Sequence, residues 1–522
     1  MPIEIPGYYF DAARNKYFKI EKSQTAPPAA RWTSDSVKRR KLEREEEEEE
    51  AWRAGGWRGK HSARAGIRRH EALRLDGLAG GMLARECCAR GAMGMGMGMG
   101  GDGPEALRAA AWVGGMVDQG AVSFVPRAAG GRGRRLGNMP CFYVAGEGCH
   151  TEVGVAYGTI DEEILLGTHL EPDANGRIGG REQETRTMGR LGSTWAPLSE
   201  MVRCPQMSSV AYHEPSHQML LTSRDPEQNC GLFMFSPPIS TTIDDRRHWL
   251  IGQAVRYQRI AIRPRSQPQN IIHRCTPAPS SSPLLCIVGT NSGILSVNPN
   301  GATTSLSSFQ GKHRPGARRH SDGIGEIFDQ VFSAANHNVV LAGGRRSRFW
   351  VTDLRAPSAD WTHVNTDSSV THIRSINEHQ VIVAGLRNSM CLYDLRFVTS
   401  SPSSSFFPSS FSSSSSRSPN RYKPLLCFAE HKNAAHVHTG LDVSAEMGLV
   451  AAAQDDGTVK LFSLRFGSAL RSRRDALGAI QAETPIKALQ FQRLPGERGP
   501  SLFVAEGAEL RKMSFGRGPF DE

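Results

Sequence analysis

The chain has 522 residues, of which 39% are hydrophobic, and its formal net charge is +11. The hydrophobic content is sufficient for a sizeable core, and the positive charge favours an acidic partner or nucleic acid, although much of the arginine lies in the low-complexity stretch 53–135.

The ten cysteines show no regular spacing, which argues against a zinc site or a disulfide framework and indicates thiols in a reducing compartment. No run of about 18 apolar residues occurs, and Glu4 and Pro6 interrupt the N-terminus, so we expect neither a membrane span nor a secretory signal.

The N-terminal stretch 1–22 is predicted to form a β-hairpin. Two aromatic runs, Tyr8-Tyr9-Phe10 and Tyr17-Phe18, flank a polar segment from Asp11 to Lys16. A single hairpin is only marginally stable in water, so we expect this one to dock on another surface. Two hypotheses stand side by side: the hairpin covers an open edge of the larger domain, or it binds a partner.

Residues 33–54 are predicted to form a charged helix. Thr33 or Ser34 supplies a capping hydroxyl, and the residues from Lys38 to Glu50 are strong helix formers. The basic residues come first and the acidic residues last, which is the reverse of the order that the helix dipole favours, so the helix should be more stable on a partner. The run Lys38 to Lys41 is also typical of a nuclear import patch, which predicts a nuclear protein that is also present in the cytoplasm; the alternative is a solvated charged helix.

Residues 55–139 are predicted to be disordered, because they are rich in glycine, alanine and arginine. Regular strand signals begin at Pro140, which predicts a folded domain over residues 140–516. The serine tract at 399–420 is predicted to be a disordered insertion in this domain. Two further insertions, at 173–192 and 312–322, are rich in basic residues.

The most regular part of the domain is a repeated line of about 16 residues. VVLAGGRRSRFWVTDLR ends at Arg355 and VIVAGLRNSMCLYDLR ends at Arg396, 41 residues later. In each line two apolar runs flank a polar turn, and each line ends in Asp-Leu-Arg. A third copy, VAAAQDDGTVKLFSLR, ends at Arg465 and has Ser463 in place of the aspartate.

A period of about 40–45 residues with paired strands is typical of the blades of a WD-repeat β-propeller. Radial stacking gives each small sheet a neighbour on both faces and leaves only short, protected edges. Short apolar runs between Cys141 and Phe515 make up seven candidate blades. The predicted fold class is therefore an all-β, WD40-type propeller with seven blades.

No catalytic motif is present, so we expect a protein without enzymatic activity, cofactor or metal. The sequence lacks Gly-x-Ser-x-Gly, a phosphate-binding glycine loop and His-Glu-x-x-His. His431, His436 and His438 cluster ahead of the third copy, and we interpret them as neutral loop histidines rather than metal ligands. Glu430-His431 occupies the position where a Gly-His pair precedes a WD-repeat blade.

Several segments together resemble one family. These segments are PGYYFDAARNKYF near the N-terminus, the charged helix, the blade ends FWVTDLR and CLYDLRF, the stretch from His436 to Leu464, and the final LPGERGPSLFVAEGAELRKMS. They are similar to the WD-repeat substrate receptors of cullin-4 RING ubiquitin ligases, the damage-specific DNA-binding protein 1- and cullin-4-associated factors. The similarity covers residues 1–55 and 280–515 and is poor between them.

The resemblance implies a non-catalytic receptor that docks on the adaptor, damage-specific DNA-binding protein 1, and through it on cullin-4, and that presents protein substrates for ubiquitination. The docking motif of this family is Trp-Asp-x-Arg, and Asp353, Arg355, Asp394 and Arg396 match it, whereas Thr352 and Tyr393 stand in place of tryptophan. Arginine binds carboxylates in a planar, bidentate manner, and an aspartate two residues earlier is positioned to orient it. The auxiliary docking residues that the resemblance implies are Tyr393, Arg465, Tyr8, Tyr9, Phe10, Tyr17 and Phe18.

The alternative function is a WD-repeat scaffold that binds chromatin or RNA through its basic insertions and has no role in a ligase. Aspartate at the end of the repeated line also has a purely structural interpretation, since it is common at this position of WD repeats.

Overall fold

The structure, a computed structural model, describes residues 8–11, 16–19, 104–124, 137–146, 154–170, 172, 176–179, 199–224, 231–237, 258–261, 271–306, 324–356, 361–398, 423–472, 476–478, 480, 482–497 and 499–515. The chain divides into two units, Met1–Met82 and Leu83–Glu522. In the first unit, β1 (Tyr8–Asp11) and β2 (Lys16–Lys19) form an antiparallel hairpin in which Tyr9 lies opposite Phe18 and Phe10 lies opposite Tyr17.

The second unit is a seven-bladed, WD40-type β-propeller, which confirms the predicted fold class. Its first elements are the helix α1 (Pro104–Gly114) and the strand β3 (Met116–Ser123). Blades 1 to 6 each consist of four consecutive antiparallel strands. The strands of blades 1 to 3 are β4 (Phe142–Ala145), β5 (Gly154–Ile160), β6 (Ile164–Leu170) and β7 (Ser199–Arg203); β8 (Met207–His213), β9 (Gln218–Ser223), β10 (Gly231–Phe235) and β11 (Gln258–Ala261); and β12 (Ile272–Pro277), β13 (Cys286–Thr290), β14 (Gly293–Val297) and β15 (Thr303–Ser305).

Blades 4 to 6 contain the three repeated lines as their second and third strands. A short helix, α2 (Leu395–Val398), follows the third strand of blade 5. The strands of blades 4 to 6 are β16 (Ile327–Phe332), β17 (Val339–Gly344), β18 (Arg348–Asp353) and β19 (Thr362–Asn365); β20 (Val370–Ser375), β21 (Gln380–Gly385), β22 (Met390–Asp394) and β23 (Leu426–Cys427); and β24 (Leu441–Ser444), β25 (Leu449–Ala453), β26 (Val459–Ser463) and β27 (Ala469–Leu470).

The second strands are apolar throughout because neighbouring blades cover both of their faces. In β17, Val340 and Ala342 pack in a cluster with Ile287 and Ile294 of blade 3. Leu341, between them, packs in a cluster with residues of blade 5 such as Ile373. A strand that is buried on both faces reads as a continuous apolar run rather than an alternating one, which is why the repeated lines begin Val-Val-Leu-Ala and Val-Ile-Val-Ala.

The last blade joins the two ends of the propeller. Its strands β28 (Leu489–Gln492), β29 (Ser501–Glu506) and β30 (Glu509–Phe515) are followed in space by β3, which pairs antiparallel with β30. A strand that precedes blade 1 in sequence therefore closes the ring as the outer strand of blade 7. The helix α1 packs beside it: Trp112 is fully buried, and its ring lies 6.0 Å from that of Phe491 in an edge-to-face contact.

This closure corrects two predictions. The propeller was predicted to begin at Pro140, and residues 55–139 were predicted to be disordered, but residues 104–124 contain a helix and a strand that belong to the propeller. The composition of the stretch is misleading because the partner of β3 lies almost 400 residues away, between Glu509 and Phe515.

Several predicted segments lie outside the described residues, namely the helix at 33–54, residues 55–103, and the insertions at 312–322 and 399–420. The insertion at 173–192 also lies outside, apart from residues 176–179. Within the described ranges, no helix is long and apolar enough to cross a membrane.

The first strand of each blade lines a central cavity of about 120 Å³. Hydrogen bonds from backbone N–H groups to side-chain oxygens join these strands from blade to blade, so polar groups as well as apolar contacts hold the ring together. The bonds run from Cys275 N–H to Ser209 Oγ (2.9 Å), from Ile373 N–H to Asp329 Oδ2 (2.9 Å), from Phe491 N–H to Asp442 Oδ2 (2.7 Å) and from Val144 N–H to Gln490 Oε1 (2.8 Å).

Candidate functional site

The three repeated lines end at equivalent positions of consecutive blades. Asp353, Asp394 and Ser463 are the last residues of β18, β22 and β26, the third strands of blades 4, 5 and 6. Each lies opposite the first residue of the second strand of its own blade. The arginines two residues later therefore lie on one rim of the propeller. We call this surface the arginine rim; it comprises Arg355, Arg396, Arg465 and the exposed residues beside them.

In blade 4, Asp353 holds Arg355 through both carboxylate oxygens. Oδ1 accepts hydrogen bonds from the Arg355 backbone N–H at 2.9 Å and from Nε at 3.0 Å, and Oδ2 accepts one from Nη2 at 2.7 Å. The hydrogen bond from the guanidinium lowers the pKa of Asp353 to about 2, so the pair is ionised at neutral pH. The side chain of Arg355 is nevertheless 65% exposed.

Blade 5 repeats this arrangement with Asp394 and Arg396. Oδ1 of Asp394 accepts from the Arg396 backbone N–H and from Nε, both at 3.0 Å, and Oδ2 accepts from Nη2 at 2.6 Å. The hydrogen bond from Arg396 also holds the pKa of Asp394 below its usual value. The carboxylate is 3% exposed and the guanidinium side chain 60% exposed, so Arg396 projects from a buried anchor.

Blade 6 has Ser463 at the position of the aspartate, so it shows what this position contributes to the turn without an ion pair. Ser463 Oγ accepts a hydrogen bond from the Arg465 backbone N–H at 3.3 Å, which is the turn contact that aspartate makes in blades 4 and 5. A short polar side chain at this position thus stabilises the turn after the third strand. Because blade 6 makes the turn with serine, the turn does not require the ion pairs that orient Arg355 and Arg396.

Three apolar side chains accompany these arginines. Among the residues that the structure describes, Phe397, Leu425 and Phe466 are the large hydrophobic side chains that are exposed, by 63%, 50% and 47%. Phe397 and Phe466 directly follow the arginines of blades 5 and 6, and each ring lies within about 6 Å of the neighbouring guanidinium carbon. Leu425 directly precedes β23 and donates its backbone N–H to Leu392 O at 2.8 Å.

The turn of blade 6 lies against the fourth strand of blade 5, which brings these side chains toward one surface. A Cβ atom added at Gly467 would come within 3.0 Å of Leu426 Cγ. The apolar members of the rim were not predicted from the sequence. The repeated triplet Leu-Arg-Phe, at 395–397 and 464–466, is the signal in the sequence that identifies two of them.

The arginine rim therefore presents oriented guanidinium groups beside exposed apolar side chains. Oriented arginines bind carboxylates in a bidentate manner, and aromatic and arginine side chains are enriched where proteins bind one another. The arrangement suits a protein surface that carries acidic and apolar groups.

The structure places the other predicted docking residues differently. Tyr393 is 7% exposed, and its ring contacts that of Phe349 at 5.4 Å between blades 4 and 5. Tyr393 is therefore a core residue, which corrects its prediction as an auxiliary docking residue. Arg465 lies on the rim, as described above. Tyr8, Tyr9, Phe10, Tyr17 and Phe18 lie on β1 and β2 in the first unit of the chain.

A second group of charged residues lies on the first strands, around the central cavity. The carboxylate of Asp329 is fully buried; Arg274 Nε lies 3.3 Å from its Oδ1, and Arg374 Nη1 lies 2.7 Å from its Oδ2. Burial alone raises the pKa of Asp329, but the two guanidinium groups outweigh burial and lower it. The group joins blades 3, 4 and 5 and was not predicted from the sequence, because its members come from separate blades.

The histidines ahead of blade 6 have different surroundings and do not converge on one site. His431 is 2% exposed, and its ring lies 6.4 Å from that of Phe462. His438 Nε2 lies 3.2 Å from Nη1 of Arg224, and Nη2 of the same arginine donates a hydrogen bond to Glu162 Oε2 at 2.7 Å. Within the part of the chain that the structure describes, no group of three or more His, Cys, Asp or Glu residues is placed to hold a metal ion.

Because the propeller contains buried histidines, we expect acid to lower its free energy of unfolding. Burial lowers the pKa of His372 to about 3 and that of His431 to about 4. The unfolded chain, with histidine pKa values near 6.5, binds these protons first, so stability is full above pH 6.5 and is lost as the pH falls toward the folded values. We expect His372→Asn to reduce the loss of unfolding free energy between pH 5.5 and 4.5 by about 1.4 kcal/mol relative to the unmodified protein. Urea unfolding at the two pH values measures this difference, and equal losses in both proteins would contradict it.

No protein-family model matches the sequence, and no curated protein matches it. A solved structure, the crystal structure of the WD40 β-propeller domain of Doa1, is similar to this chain with a TM-score of 0.46 and 9% sequence identity, over 77% of this chain and 97% of that chain. The seven four-stranded sheets themselves define the fold.

Proposed function

We propose that this chain is a non-catalytic substrate receptor of a cullin-4 RING ubiquitin ligase and that the arginine rim docks on the adaptor, damage-specific DNA-binding protein 1. The proposal rests on an arrangement that occurs at the same position of two consecutive blades, namely an aspartate that orients an exposed arginine. Asp353 and Asp394 each orient an arginine that is more than half exposed. Blade 6 makes the same turn without an ion pair, so a role in binding explains why the Asp–Arg pair is present twice.

The partner surface that fits the rim carries carboxylates for Arg355 and Arg396 and an apolar area for Phe397, Leu425 and Phe466. Orientation before binding lowers the entropy that an arginine loses when it forms a bidentate contact. The exposed apolar side chains supply surface that is removed from water on binding. The aromatic hairpin of the first unit enters the proposal as an auxiliary docking element.

The test is a double variant, Arg355→Ala with Arg396→Ala, examined by co-purification and by direct measurement of adaptor affinity. Removing one partner of a charged pair that becomes buried on binding weakens a complex strongly, so we expect the affinity to fall roughly 30-fold or more. The melting temperature should change little, because exposed ion pairs contribute little to folding.

The matched control is Arg345→Ala with Arg387→Ala. These arginines are exposed and lie in the turns between the second and third strands of the same two blades, at the opposite ends of those strands. The control removes the same charge and should retain adaptor binding. If the rim variant unfolds, the Asp–Arg pairs are structural; if it folds and binds the adaptor with unchanged affinity, the rim is not the docking site.

The rim variant and its control also distinguish docking on the adaptor from the alternative function, a scaffold for chromatin or RNA. The net charge of +11 favours this alternative. Binding of nucleic acid through basic segments weakens steeply as salt increases, and it should be equal in the rim variant and in its control.

A further inference from the structure

Two cysteines face each other across the outer edge of blade 5. Cys391 of β22 pairs with Cys427 of β23, and their Sγ atoms are 3.1 Å apart. Met390 precedes Cys391 and Phe428 follows Cys427, so these two residues face each other at the next position of the ladder. Phe428 N–H donates a hydrogen bond to Met390 O at 2.9 Å. This bond places the cysteines at a non-hydrogen-bonded position of the antiparallel ladder, where facing Cα atoms are about 4.5 Å apart. Disulfides span Cα distances of about 4.4 to 6.8 Å, so the spacing typical of this ladder position suits a disulfide.

The two thiols differ in accessibility. Cys427 is exposed, whereas Cys391 is partly buried against the cluster between blades 4 and 5. Burial and the neighbouring Cys427 raise the pKa of Cys391. A small reagent therefore reaches Cys427 first, and Cys391 is placed to attack Cys427 afterwards.

We propose that Cys391 and Cys427 form a reversible disulfide by exchange with a low-molecular-weight disulfide such as oxidised glutathione. This proposal is independent of the docking function of the rim.

The reaction proceeds in two successive thiol–disulfide exchange steps. The thiolate of Cys427 attacks one sulfur of oxidised glutathione, which forms a mixed disulfide on Cys427 and releases one glutathione thiolate. Cys391 then loses its proton, and its sulfur attacks Sγ of Cys427, breaking the bond to glutathione and releasing the second glutathione. Two protein thiols are oxidised to one disulfide, and one oxidised glutathione is reduced to two thiols.

The disulfide would join a short outer strand covalently to its neighbour. β23 is two residues long and is the fourth strand of its blade. Leu425, an exposed member of the arginine rim, lies two residues before Cys427. A covalent link between β22 and β23 closes the chain segment from 391 to 427, which restricts the unfolded chain and stabilises the folded one.

The test uses the full chain, reduced, freed of reductant, incubated with oxidised glutathione and then alkylated before peptide mapping. We expect a peptide pair joined through Cys391 and Cys427 and the release of two glutathiones for each such pair that forms. In the oxidised protein the amide of Phe428 should exchange its hydrogen more slowly, and the propeller should melt at a higher temperature. The variant Cys391→Ser should stop at a glutathione adduct on Cys427.

A second pair of neighbouring cysteines serves as the internal control. Cys275 and Cys286 lie close together on β12 and β13 but are 3% and 0% exposed, so we expect them to stay reduced. The proposal is overturned if Cys391 and Cys427 remain reduced, or if glutathione stays on Cys427 of the unmodified protein. Oxidation of the buried pair to the same extent would also overturn it, because exposure and facing geometry would then not determine which thiols react.

Discussion

Replacing Asp329 with alanine is expected to lower the free energy of unfolding of the propeller by about 3 to 5 kcal/mol, the usual cost of removing one partner of a buried ion pair. Asp329 is fully buried and accepts a hydrogen bond from Ile373 N–H at 2.9 Å in addition to its contacts with Arg274 and Arg374. The alanine variant leaves Arg374, which is 17% exposed, with the more distant carboxylate of Asp442 as a counter-charge, 3.8 Å from its Nε. It also leaves the buried Ile373 N–H without its acceptor.

The matched control is Asp353→Ala, which removes an ion-paired aspartate from the same blade. The partner of Asp353 is 65% exposed, so water solvates the guanidinium once the carboxylate is gone, and the stability should change little. Urea unfolding of the unmodified protein and both variants measures the difference. Equal losses for Asp329→Ala and Asp353→Ala would show that the charged group around the cavity does not hold blades 3, 4 and 5 together.

The propeller and its blade count were predictable because the information is local. Each second strand is buried on both faces, so it appears in the sequence as an uninterrupted apolar run such as that from Val381 to Gly385. The third strand follows after a short turn, and the blade repeats after about 40 residues. The Asp-Leu-Arg positions were predictable for the same reason, since the turn and its aspartate lie within three residues.

Features that depend on distant parts of the chain were not predictable. The strand β3 pairs with β30, almost 400 residues later, and its own sequence, MVDQGAVS, has no strict alternation. The contacts of Asp329 come from blades 3 and 5, so no local pattern in the sequence indicates them. Burial of Tyr393 depends on Phe349 of the preceding blade, whereas exposure of Phe397 depends on its place after the last residue of β22.

Deleting residues 1–139 is expected to prevent the formation of a stable propeller, although the deletion removes only the stretch that composition predicted to lie outside it. The deletion takes away β3 and α1, and with them the buried side chains of Trp112, Val113, Met116, Val117 and Phe124. Burial of each such side chain contributes about 1.5 to 3 kcal/mol, so the loss is on the order of 10 kcal/mol, which is comparable to the whole stability of a typical domain. The strand β30 would also become an unpaired edge, which favours aggregation.

The matched control for this deletion removes residues 1–103 and keeps α1 and β3. We expect the shorter deletion to remain soluble, to unfold in one cooperative transition and to melt close to the full chain, because closure of blade 7 through β3 and β30 is intact. Circular dichroism during heating and size-exclusion chromatography compare the two proteins. A soluble, cooperatively folding protein that begins at residue 140 would show that β3 is dispensable and that blade 7 is stable with three strands. The opposite result, loss of folding in both deletions, would show that the first 103 residues are needed as well.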